Sequence, residues 1–186
     1  MLKQFLGIRK LNSRELCTLG MLLALTAIMS VYFTVRVGEV IKIPTKFLPI
    51  SVASMLFGPL YGGIAGALAD LLTYTVTPVA YFMPQITFVE FLYGFTYGIF
   101  LKNLTNSRKG YLSVVLCVLF QIVFIQVLLT SYFLMPIMNL SYPMMIYTRL
   151  PAAAVNTMLQ IVGVCFVAKY SESFRRLSAG GIKKWN

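Results

Sequence analysis

Residues 56–74 read LFGPLYGGIAGALADLLTY, an apolar run whose one charged residue is Asp70. A run of this length and composition reads as a membrane helix. A carboxylate near the bilayer centre is expensive on every scale, so such a residue faces a bundle interior and serves a purpose there. Working outward, the whole chain fits that setting: 186 residues, 59% hydrophobic, 11% charged, mean hydropathy +0.81. This is more apolar surface than one soluble core of that length buries. Residues 16–35, 60–76, 86–101, 111–135 and 147–168 each approach or exceed the ~17–25 residues a tilted helix needs to cross the hydrocarbon. Phe47–Phe57 is shorter and holds Pro49, yet no charge or loop signal interrupts it before GPLYGG, and it is counted as a sixth span. The expectation is an all-α membrane protein with six transmembrane helices.

Charge placement orients the spans. Of sixteen Lys and Arg, twelve fall in three places: Lys3, Arg9, Lys10 and Arg14; Lys102, Arg108 and Lys109; Lys169, Arg175, Arg176, Lys183 and Lys184. The positive-inside rule makes all three cytoplasmic, which needs an even number of spans and puts both termini inside. The implied organisation is a cytoplasmic segment at 1–15, a transmembrane domain at 16–168 and a basic cytoplasmic tail at 169–186. The net charge of +11 is therefore a topology signal and requires no nucleic acid. The first residues lack a separate apolar core and a small-residue cleavage site, so no cleavable signal is read. Cys17, Cys117 and Cys165 lie in or beside spans without paired spacing and read as small packing residues.

Outside the cytoplasmic segments remain Arg36, Glu39, Lys42, Lys46, Asp70, Glu90 and Arg149, and these define a polar pocket opening outward. Arg149, Asn156 and Gln160 are seven and then four residues apart, within about 20° of one helical face. Glu90 and Tyr97 share a face in the same way, with Gly94 and Gly98 permitting close approach of a neighbour. Gln121 and Gln126 lie about 140° apart on an α-helix, so at most one of them need face the same cavity. The external segments TPVAYFMPQ and SYFLMPIMNLSYPMMIYTR bring aromatics, Tyr81, Phe82 and Tyr147 among them, in stretches stiffened by Pro78, Pro84, Pro136 and Pro143. Such rings suit a flat ligand, and they equally suit a membrane interface. No G-x-x-x-x-G-K-[ST] loop is present, His is absent and Asp70 is the single Asp. Neither ATP hydrolysis by a phosphate loop, nor a metal centre, nor an enzyme is read.

The blocks KFLPISVASMLFGPLYGGIAGALADLL and YFMPQITFVEFLYGFTYGIF, with six spans and basic cytoplasmic tails, resemble the substrate-binding S component of an energy-coupling factor (ECF) vitamin transporter, most of all its folate-specific members. The resemblance covers residues 20–168. It implies a high-affinity vitamin-binding subunit of the bacterial plasma membrane, surrounded by lipid. Such a subunit captures its vitamin outside and releases it inside by toppling, with a transmembrane coupling subunit and two ATPase subunits as partners. No cofactor of its own is implied, since ATP is used by the partners. S components typically carry Ala-x-x-x-Ala on the first helix for docking; here Gly20, Ala24 and Ala27 offer a small-residue surface at slightly different spacing. For a folate, Glu90 would accept adjacent pterin N–H donors in a two-point fork. Arg149, Arg36, Lys42 and Lys46 would suit the carboxylates of the glutamate tail, with Tyr81, Phe82, Tyr97, Tyr147, Asn156 and Gln160 lining the pocket. Asp70 is read as a structural acceptor tying spans together beneath that pocket. Riboflavin or pantothenate remain alternatives within the family, and a ligand-free membrane assembly subunit is the alternative outside it.

Overall fold

The computed structural model describes residues 11–33, 35–37, 41–43, 45–76, 83–101, 108–138 and 141–170. Helix α1 spans Ser13–Tyr32, opened by Asn12, whose backbone N–H donates to Glu15 Oε2 at 3.0 Å. The helix stops short of the expected 35. Val35–Val37 (β1) instead pairs antiparallel with Ile41–Ile43 (β2), Arg36 opposite Lys42. The alternation VRV and IKI explains the change, because β-branched residues at period two favour a strand where a lone loop was expected.

Helix α2, Phe47–Phe57, is 11 residues long, about 16 Å, or half the hydrocarbon thickness. It survives as a short helix because neighbours enclose it: Ile50, Ser51, Ala53, Ser54, Met55 and Phe57 are all buried. Gly58 ends it at φ 93°, a backbone conformation that disfavours any residue with a Cβ. Pro59 then opens α3, Pro59–Val76, at a position where its missing N–H costs nothing. Helix α4 spans Pro84–Leu101. The expected fifth span is a continuous rod of three parts: α5 at Arg108–Phe120, a π-helical segment at Gln121–Leu129 and α6 at Thr130–Met138. Helix α7, Tyr142–Lys169, closes the chain and holds Pro151 in its interior.

Glycine sets the tightest contact, an antiparallel crossing of α3 and α4. A Cβ on Gly94 would strike the Gly62 carbonyl, one on Gly66 the Glu90 carbonyl, and one on Gly98 the backbone of Pro59. The positions recur every four residues on both helices, so one stripe of each lies backbone to backbone. Ser54 on α2 locks the crossing by donating to the Gly94 carbonyl at 2.9 Å.

The bundle is apolar outside as well as inside. Met21, Met158 and Val162 are at least 70% exposed, while Gln121, Ser131, Asn156 and Gln160 are buried. Water would not tolerate so much apolar surface, and lipid does. Among the described residues, Ser13–Tyr32 and Gly110–Leu134 are by themselves long and apolar enough to cross a membrane.

Candidate functional site

The N-terminal half of α4 carries the site. The carbonyl of Glu90 lies against Gly66 of α3, so the residue sits at the α3–α4 crossing. There Lys46, at the N-cap of α2, meets it: Nζ lies 2.7 Å from Glu90 Oε1, with the side chains 17% and 15% exposed. The pair brings together two residues that the sequence reading assigned to different ends of a ligand. A carboxylate has about four lone-pair sites, so Lys46 neutralises Glu90 and still leaves acceptor capacity.

Tyr97 follows two turns along α4 and is buried. Facing α4, the π segment brings Gln121, fully buried, whose Nε2 donates to the Tyr93 carbonyl at 3.0 Å. On α7, Asn156 and Gln160 are both buried on one face. The Tyr97 hydroxyl, the Oε1 atoms of Gln121, Gln126 and Gln160, and Ser131 Oγ are buried with no protein partner. Orphan polar atoms of this kind are rare in a finished core and mark where another group completes the hydrogen bonding. They come from α4, the π segment, α6 and α7, and the π segment packs against each of the other three.

Other expected residues fall elsewhere. Tyr147 is 73% exposed, half a turn away from the Asn156 face, and does not join the polar set. Arg36 lies on β1 and Arg149 on α7, but their side chains, like that of Lys42, are outside the described residues, as are Tyr81 and Phe82 altogether. Asp70 accepts a hydrogen bond from Thr87 Oγ1 at 2.8 Å. Thr87 precedes Glu90 by one turn, so Asp70 ties α3 to α4 beside the pocket, on the N-terminal side of Glu90, where the sequence reading set it beneath. Gly20 and Ala24 are exposed and Ala27 half-buried, and nothing stands within 4 Å of where a Gly20 Cβ would be.

Sequence reasoning passed over Gln121 and Gln126 as a pair, because the 140° separation assumed an α-helix. In the π segment the backbone bond closes from residue i to i+5, as the Thr130 N–H does to the Ile125 carbonyl, and residues five apart come to lie nearly one above the other. No sequence signal announces that turn. A groove of about 420 Å³ between α1, α2 and α7, lined by Leu22, Leu25, Val52 and Phe166, is almost wholly apolar. It lies away from these polar groups and offers them nothing to bind. Among the described residues no cluster of three or more His, Cys, Asp or Glu suits a metal ion.

A lipid-facing helical bundle with a half-buried ion pair and unsatisfied acceptors in its core has the build of a membrane-embedded binding subunit. The comparisons with known proteins agree: residues 10–172 match the family model described as "ECF-type riboflavin transporter, S component", and the chain belongs to that family of integral membrane proteins. It is 36% identical over 70 residues to the folate transporter FolT of Clostridium novyi (strain NT), a stretch covering 38% of this chain and 41% of that protein. The chain thus matches about two-fifths of that curated relative's length. Among solved structures it resembles the crystal structure of FolT bound with folic acid, with TM-score 0.76 and 25% identity over 85% of this chain and 94% of the other.

Proposed function

We propose that this chain is the folate-binding S component of an ECF-type importer. It would sit in the plasma membrane as six spans with both termini cytoplasmic, organised as segments 1–15, 16–168 and 169–186. It would pass its vitamin inward by toppling, coupled to a transmembrane subunit and two ATPases, with no cofactor of its own. The observation that carries the reading is the Glu90 carboxylate, held by Lys46 inside the bundle on the same helix as Tyr97. A pterin presents a ring N–H beside an exocyclic amine, two adjacent donors for a carboxylate fork, and charge-assisted pairs of this kind are roughly twice as strong as neutral ones. A flavin ring carries a single N–H flanked by carbonyls, which a carboxylate repels. The family description names riboflavin, whereas the two individual relatives are a folate transporter and a folic acid complex. Both chemistry and kinship therefore favour folate. The coupling subunit would meet Gly20, Ala24 and Ala27 on α1. Arg36, Lys42, Arg149, Tyr81 and Phe82 belong to the same proposal as partners of the glutamate tail and the ring.

Calorimetric titration of the detergent-purified protein with folic acid and with riboflavin tests it. Tight folic acid binding and no riboflavin heat is the expected result. Riboflavin binding without folic acid binding would replace the ligand, and the absence of both would return the chain to an assembly role.

A further inference from the structure

We propose that the π-helical segment Gln121–Leu129 is a ligand-reading device that sets Gln121 and Gln126 on one face as paired amide acceptors for the N–H donors of the heterocycle. The inference deepens the folate reading and rests on it. Gln121 is fully buried, and its Nε2 is committed to the Tyr93 carbonyl. Turning the amide over would lose that bond, so Oε1 is held as an acceptor. Gln126 Oε1 is likewise buried, and neither oxygen has a protein partner. Two orphan acceptors in a low-dielectric core are satisfied only by a group that donates.

The helix type is what makes the two act together. On an α-helix they would diverge by about 140° and one would point into lipid or a neighbouring helix. The i to i+5 closure aligns them, and Thr130 reinforces the wide turn by donating its hydroxyl to the Ile125 carbonyl at 2.8 Å. Gln121 faces α4, which bears Glu90 and Tyr97. If Glu90 takes the pterin ring N–H and one hydrogen of the exocyclic amine, the second amine hydrogen is left over. That one hydrogen is a donor the two aligned oxygens can share as a three-centre bond. The ligand class so defined is a flat aminopyrimidine-type ring with more donors on one edge than a single carboxylate can use.

Titrations of folic acid and of its 2-desamino-2-methyl analogue into the full-length protein and into Gln121→Leu, Gln126→Leu and Gln126→Glu decide the matter. Each Leu variant should weaken folic acid by about 10- to 100-fold, the range expected when a buried hydrogen bond loses its acceptor. The same variants should change binding of the analogue, which lacks the amine, by less than about threefold, and a merely structural role would weaken both ligands alike. Gln126→Glu keeps an acceptor oxygen and should lose less folic acid affinity than Gln126→Leu. If Gln121→Leu does not fold, the outcome rests on the two Gln126 variants. Folic acid binding by the parent with unchanged affinity in the Leu variants overturns this inference alone. Failure of the parent to bind folic acid overturns the folate reading and this inference with it.

Discussion

At Glu90 the structure alters what a substitution does. The carboxylate is the partner of Lys46, so Glu90→Gln removes a proposed ligand contact and also strands a mostly buried cation. Mispairing one side of a buried charged hydrogen bond costs about 2–5 kcal/mol, so folic acid affinity is expected to fall roughly 30-fold to several thousandfold. The melting temperature should fall as well, because the uncompensated Lys46 charge is itself destabilising. Adding Lys46→Met should restore most of the melt and none of the binding. Recovery of both in the double variant would show that the pair is structural only. Asp70 is different, since its described partner is Thr87 on α4. Thr87→Val should lower stability by about 1.5–3 kcal/mol, the worth of a hydrogen bond to a charged group, and leave folic acid affinity unchanged; a titration beside a thermal melt reads both.

Among the elements, the α3–α4 crossing is the least forgiving. A methyl on Gly94 meets the Gly62 carbonyl and carbon, which are backbone atoms unable to rotate aside. Gly94→Ala must therefore separate the helices and break the Ser54 bond to the Gly94 carbonyl. A loss of several kcal/mol is expected, as for other overpacked or network-breaking changes, seen as a collapse in folded yield on size exclusion. Gly20→Ala on α1 meets nothing within 4 Å and should be neutral or stabilising by up to about 1 kcal/mol through helix propensity. Equal behaviour of the two variants would mean that the crossing is looser than its geometry. The residue type is the same in both cases, and the neighbour across the gap decides the sign.

For the whole molecule, the proposed cycle separates capture from coupling. The Gly20–Ala24 face of α1 is exposed, with nothing within 4 Å of where a Gly20 Cβ would be. Ala24→Leu should leave folic acid binding intact in detergent and abolish uptake by cells carrying the full importer, because added bulk prevents close helix contact. Loss of binding itself would make that face internal. Orientation is open to direct labelling: a cysteine at Ser107 should react only from the cytoplasmic side and one at Thr77 only from outside. Both positions lie outside the described residues, so the prediction stands on charge placement alone, and the reverse pattern would overturn the six-span topology.

Class and kinship were readable from the chain because they depend on quantities that add up locally. Hydropathy over a window, the clustering of Lys and Arg, and the FGPLYGG block need no knowledge of neighbours, and they pointed to a membrane S component. That Glu90 and the Asn156–Gln160 face turn into the bundle was legible for a related reason, since a polar residue at helical spacing in an apolar run has few reasons to face lipid. What the chain alone left open were relations between segments. That Lys46 reaches Glu90, that Asp70 meets Thr87 beside the pocket, and that Tyr147 points away depend on where separate helices come to rest. The conversion of residues 121–129 to a π turn is the clearest case. A π turn is rarely adopted for its own sake, so packing against α4 and α7 selects it, and with it the face on which Gln121 and Gln126 lie. Composition is a sum over residues, whereas a binding site is a set of distances, and those distances are decided by tertiary packing.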